Sequence, residues 1–192
     1  MKNKAYFTLI PIVLIAFAGC KKDDPAPSTP PPPVNEEEVL TSIILTFTDT
    51  LQNDQYILSS RDLDGDGGQP PLIQGDTLPI DRYFNVSVQV LNESVSPPID
   101  ITGEIQDEGE EHQFFFQHPG INISLSNFDV DANGRPIGTA FTAQTFAPPS
   151  SGELKVILRH DPDKDAPGVA QGDITNAGGD TDIEVLLPLV IL

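Results

Sequence analysis

The dominant period along the chain is two. Phe84, Val86, Val88 and Val90 alternate with Asn85, Ser87 and Gln89, the pattern of a strand with one face buried and one in water. Ile121, Ile123 and Leu125 alternate with Asn122, Ser124 and Ser126. Leu154, Val156 and Leu158 alternate with Glu153, Lys155 and Arg159, Ile157 being the apolar exception. Ile183, Val185, Leu187, Leu189 and Ile191 form the last such series. Less regular runs at 39–48, 55–60, 112–118 and 138–146 also read as strands. Turns rich in Gly, Pro, Asn and Asp separate them. The fold class this predicts is all-β: an antiparallel, immunoglobulin-like β-sandwich of about eight strands, rather than a barrel or an α/β fold. One segment departs from the period. Between Asp100 and His112, Ile101 and Ile105 share a face at i, i+4 behind a candidate N-cap, Asp100. Gly103 and Gly109 keep it short, so it is expected to be one short helix crossing between strands and ending near Gly109.

The first residues follow a different pattern. Lys2 and Lys4 precede an apolar run from Phe7 to Ala18, broken only by Thr8 and Pro11. At about a dozen residues it falls short of the roughly 20 that a membrane-spanning helix needs, and it reads as the core of a cleaved signal peptide. Phe17-Ala18-Gly19-Cys20 resembles a bacterial lipobox, with small residues before the cleavage point and Phe17 where Leu is usual. Cys20 is then the lipidation site. The alternative is an uncleaved N-terminal anchor with an incidental cysteine. The expected organisation is a signal peptide over 1–19, a lipidated cysteine and proline-rich tether over 20–35, and the β-sandwich domain over 36–192. Pro25, Pro27 and Pro30 to Pro33 fix φ and remove N–H donors, so the tether should be an extended spacer of roughly 3 Å per residue. Lys21-Lys22-Asp23-Asp24 resembles the signal that sends Bacteroidota lipoproteins to the cell surface. The expected location is therefore the outer membrane, lipid-anchored and facing outward, with several acyl chains exceeding the two signals that stable anchoring needs.

Charge narrows the partners. Setting aside Asp23, Asp24, Lys2, Lys4, Lys21 and Lys22, residues 36–192 hold 27 acidic and 6 basic side chains, a net of −21. Nucleic acid and anionic lipid are poor partners for such a field, and cations or cationic surfaces better ones; solubility alone is the plainer account. Cys20 is the only cysteine. Once lipidated it leaves the domain no disulfide, thiolate metal site or cysteine nucleophile.

Several constellations are candidates for chemistry. Asp62, Asp64 and Asp66 at alternate positions before Gly67 resemble the first half of a calcium loop. The bidentate Glu that closes an EF-hand belongs at the twelfth position, where this chain has Ile73. A looser Ca²⁺ site would need oxygens from another loop; otherwise this is an acidic turn whose carboxylates satisfy their own backbone donors. Asp129-Val130-Asp131-Ala132-Asn133-Gly134 has the same outline, but Asn133-Gly134 favours a hairpin turn. His112 follows Glu110 and Glu111, and His160 is in phase with Leu154, Val156 and Leu158 and precedes Asp161, Asp163 and Asp165. Each could ligate Zn²⁺ with nearby carboxylates, or simply bond to one of them. His112 and His118 lie some 20 Å apart along one extended strand, too far to share an ion. His118, before Pro119-Gly120, reads as a turn residue. In Phe114-Phe115-Phe116 the middle ring points away from its neighbours. Either a loop or the preceding helix covers Phe115, or it marks a protein contact surface. No nucleophile elbow, zinc-protease helix or phosphate loop occurs, and there is no Trp to build a sugar platform. The expectation is a protein that is not an enzyme.

The blocks Arg61 to Gly68, Leu91-Asn92-Glu93-Ser94, Glu111 to Phe115, Arg159-His160 with Pro162-Asp163-Lys164, and Gly172 to Asp182 together resemble a group of small Bacteroidota envelope lipoproteins. Some of that group carry the label "type 1 periplasmic binding fold", an α/β architecture built on helices that this chain's period does not supply. The resemblance implies an envelope lipoprotein working beside a TonB-dependent outer-membrane receptor in metal or nutrient uptake, and it brings no site residues with it. Three expectations follow: a surface binding module capturing a divalent cation or metal-bearing nutrient, a structural or adhesive module with a protein ligand, and a hydrolase, which would need two carboxylates in a concave cleft.

Overall fold

Alternation becomes burial most plainly in the strand from Tyr83 to Asn92, where Phe84, Val86, Val88 and Val90 are buried and Tyr83, Asn85, Ser87 and Gln89 are exposed. The computed structural model describes residues 39–65 and 68–192, all within the unit Glu37–Leu192. The signal segment, Cys20, the tether and Asp66 lie outside the described residues.

Among these residues the strands are β1 (Ser42–Asp49), β2 (Gln55–Arg61), β3 (Leu72–Gln74), β4 (Asp76–Leu78), β5 (Tyr83–Asn92), β6 (Ile99–Asp100), β7 (His112–Gln117), β8 (Ile123–Ser126), β9 (Ala140–Thr145), β10 (Ser150–His160) and β11 (Asp180–Ile191). One α-helix, α1 (Thr102–Asp107), lies between β6 and β7. The larger sheet runs β3-β2-β1-β5-β9-β8, with β6 also on β5, and the smaller runs β4-β11-β10-β7. One buried cluster joins Ile43, Leu45, Phe47 and the β5 series to Phe114, Leu154, Val156, Leu158, Leu187 and Leu189. The sheets therefore pack face to face as an all-β sandwich. Each fully buried Phe, Leu or Val contributes about 1.5–3 kcal/mol relative to exposure.

The described residues form eleven strands where about eight were expected. The additional three are β3, β4 and β6, each of two or three residues, too short for a period of two to register. One pair is also parallel: β4 runs beside β11, with Asp76 opposite Leu189 and Leu78 opposite Ile191. The chain passes from one sheet to the other between β3 and β4 at Gly75. A Cβ there would lie 2.5 Å from the Pro188 carbonyl oxygen, so only glycine allows this approach.

The helix is shorter than the expected segment and starts one residue later. Its N-cap is Ile101, and Asp100 contributes from outside, its Oδ1 accepting the Thr102 N–H at 2.9 Å. Ile105 is fully buried against the core, so α1 hands the chain to β7 in a fixed position.

The connection from β10 to β11, residues 161–179, lies over the outer face of the smaller sheet. Its single 3-10 turns, Val169–Gln171 and Ile174–Asn176, bring Val169 and Ala177 onto Phe115 and Ile157 in a second buried cluster. Phe115 is 0% exposed, which corrects the reading of it as a contact surface: the ring does face away from the main core, and this long connection covers it.

Candidate functional site

β7 and β10 pair with His112 opposite His160. Both histidines continue the inward phase of their strands, so at this end of the sandwich the inner face changes from Phe114 and Leu158 to two imidazoles. β11 supplies a third group through an irregularity. Leu158 pairs with Ile183 but Arg159 pairs with Thr181, leaving Asp182 opposite no residue. Such a bulge re-aims the side chains beside it.

His160 Nδ1 lies 3.0 Å from His112 Nε2. Asp182 Oδ2 is 3.8 Å from His112 Nε2 and 4.0 Å from His160 Nδ1. The two rings meet edge-on, at 83° between planes, so ring nitrogens rather than ring faces converge. On its other side, His112 Nδ1 is 3.2 Å from the Glu108 carbonyl oxygen. A carbonyl only accepts, so Nδ1 carries the proton and Nε2 presents a lone pair to the cluster. A backbone acceptor behind a ligating histidine is the usual way its orientation and tautomer are fixed. His112 is 2% exposed at its side chain, His160 13% and Asp182 23%. The cluster is rooted in the core and open toward His160 and Asp182.

A second group shares His160. Its ligand atoms and those of Glu111 and Asp161 lie within 4.8 Å of one another, and His160 Nε2 is 3.7 Å from Asp161 Oδ2.

The sequence-derived candidates divide accordingly. His112 and His160 come together with a carboxylate. Asp62 and Asp64 do not join them: among the described residues neither belongs to a ligand group. Asp62 Oδ1 accepts the N–H groups of Asp64 and Gly65, and Asp64 Oδ2 accepts that of Gln69, as in an acidic turn that satisfies its own backbone. Asp66 lies outside the described residues. His118 lines an apolar cleft of about 230 Å³ with Phe114, Phe116 and Phe128, away from both ligand groups.

The Asp129–Gly134 loop is a turn held by an internal cation. Asp129 Oδ1 accepts the N–H groups of Gly138 and Ala140. Asp131 Oδ1 accepts those of Asn133 and Arg135, and Asp131 Oδ2 takes the Lys164 ammonium at 3.0 Å. Lys164 also donates to the carbonyls of Pro136, at 2.9 Å, and Gly109. The paired side chains are 6% and 2% exposed. Burial pushes the Lys164 ammonium below its ordinary pKa despite the carboxylate beside it. Burial acts to raise Asp131, but the Arg135 N–H and the Lys164 ammonium outweigh it and hold the carboxyl below the usual range. A polar cleft beside this pair is lined by Glu110, Asp163 and Asp165, with Arg135 paired to Asp165.

Sequence reasoning missed Asp182 and Lys164. Strict alternation from Ile183 puts Asp182 on the outer face, and only the bulge changes that. Lys164 sits in a run of acidic residues that reads as solvated.

The fold and this cluster define an all-β sandwich with a histidine–carboxylate site at one end of its smaller sheet. The chain matches no family model, no curated protein and no solved structure.

Proposed function

We propose that this protein is a lipid-anchored binding module of the outer membrane that captures a divalent transition metal, zinc first among them, through His112, His160 and Asp182. The observation that carries the reading is the triangle of ligand atoms at 3.0, 3.8 and 4.0 Å, with His112 already oriented by the Glu108 carbonyl. Ligands about 2.1 Å from a tetrahedral zinc stand roughly 3.4 Å from one another, so small side-chain shifts suffice. Two imidazoles and one carboxylate suit Zn²⁺ and other late first-row ions. Ca²⁺ asks for six to eight oxygens.

Three protein ligands leave a fourth position for water or for a group on a receiving protein. That suits capture and release better than a closed structural site, and it fits delivery to a TonB-dependent receptor. The net charge of −21 over residues 36–192 raises the local concentration of cations. Cys20 and the proline-rich tether would hold the domain outward from the membrane. No catalytic role is part of the proposal.

Calorimetry on the metal-free protein tests it. Heat with Zn²⁺, lost in His160→Gln and strongly reduced in Asp182→Asn, is the expected result. No heat from Zn²⁺ ends the proposal, and heat unchanged in both variants moves the site elsewhere.

A further inference from the structure

His160 faces ligand atoms on both of its ring nitrogens. Nδ1 points to His112 Nε2 and Asp182, and Nε2 is 3.7 Å from Asp161 Oδ2, with Glu111 completing a second group. The backbone holds that second group in register. The Asp161 N–H donates to the Glu111 carbonyl at 2.7 Å, which extends the β7–β10 pairing one residue past His112 and His160 and sets the two carboxylates side by side. In the first group His112 is buried, His160 half-buried and Asp182 exposed, while Glu111 and Asp161 are both exposed at the rim.

We infer that the site holds two metal ions, with the His160 imidazole bridging an inner ion on His112 and Asp182 and an outer ion on Glu111 and Asp161. The inference rests on the reading of His112, His160 and Asp182 as a metal site. Each ion then has three protein ligands, His160 counting toward both. A neutral imidazole carries one N–H, so ligation at both nitrogens releases that proton to solvent and leaves a bridging imidazolate. One nitrogen and two carboxylates make the outer site harder than the inner one, so it should bind more weakly and exchange first. An ion arriving from solution would meet the exposed carboxylates first, next to the inner position rooted on buried His112.

Equilibrium dialysis of the full protein against Zn²⁺, with metal counted by mass spectrometry, reads the stoichiometry. Two zinc ions per chain are expected, falling to one in the double variant Glu111→Gln, Asp161→Asn with the tighter step unchanged. These substitutions should not disturb folding: both side chains are exposed, and Asn tolerates the left-handed φ of 49° at residue 161. With copper(II) as probe, an imidazolate bridge couples the two spins. The resonance signal per bound copper should drop as the second equivalent enters, in the wild type and not in the double variant. One zinc per chain in both proteins overturns the two-ion inference and leaves the mononuclear reading standing. No zinc in the wild type overturns both. Two zincs with an undiminished copper signal overturn the bridge.

Discussion

Two adjacent backbone carbonyls anchor two opposite solutions to the same problem. The Glu108 carbonyl orients His112, and the Gly109 carbonyl receives Lys164. Around Lys164, Asp131 meets a cation supplied by the chain, and accepts from it and from the N–H groups of Asn133 and Arg135. Around His112, two imidazoles and a carboxylate converge, and a single proton between His112 and His160 accounts for their 3.0 Å approach. A metal ion could enter the first cluster only by expelling a buried ammonium. It could enter the second by displacing one proton. Acidic side chains are abundant in both regions, so their number does not separate a structural cluster from a binding one; the convergence of imidazole nitrogens with a carboxylate does.

The largest effect that would break this comparison is on stability. Removing one partner of a buried ion pair strands the other charge and costs about 3–5 kcal/mol. Lys164→Met and Asp131→Asn should each lower the melting temperature by roughly 10 °C, at about 2–4 °C per kcal/mol for a domain of this size. Zinc affinity should change little in either. The acid limb adds a signature. The folded-state pKa of Asp131 is depressed by the Arg135 N–H and Lys164 against the opposing effect of burial. Its contribution is therefore fully present above the unfolded carboxylate value near 3.9 and is lost as pH falls through the lower folded value. The gap between wild type and Asp131→Asn, read by urea unfolding, should narrow below about pH 4. A gap as wide at pH 3 as at pH 7 would mean that the ion pair is not its source.

Next in size is the linkage to metal. A ligand present at a hundredfold its dissociation constant stabilises the state that binds it by about 2.7 kcal/mol. Zinc should raise the wild-type melting temperature accordingly, and leave His112→Ala unmoved relative to its own metal-free form. Lys164→Met, though destabilised, should keep the full zinc increment. An increment that survives in His112→Ala but disappears in Lys164→Met would exchange the roles of the two clusters.

How far these clusters could be read from the sequence depended on the range of the interaction behind each feature. β5 follows from its own alternation, because burying Phe84, Val86, Val88 and Val90 on one face needs no information from elsewhere. The inward phase of His112 and His160 was legible for the same reason. That they stand opposite each other is a matter of β7–β10 register, which a single strand does not encode. Asp182 is less legible still, since its position comes from a one-residue slip between β10 and β11. Phe115 was ambiguous because its partners, Val169 and Ala177, belong to a connection without periodicity. β3, β4 and β6 are too short to carry a pattern and are held by pairing to longer neighbours.

The smallest expected effect concerns the loop that most resembles a cation site in sequence. Asp62 and Asp64 accept backbone N–H groups at 3.0–3.3 Å, and exposed bonds of this kind contribute on the order of 1 kcal/mol or less each. In Asp62→Asn and Asp64→Asn the amide oxygen can still accept the same donors, so stability should fall by less than about 1 kcal/mol and zinc uptake should not change. Millimolar Ca²⁺ should leave the melting temperature where it was. A calcium-dependent rise that Asp62→Asn abolishes would redraw the comparison. The loop would then be a second cation site, and its backbone bonds would describe only the metal-free state.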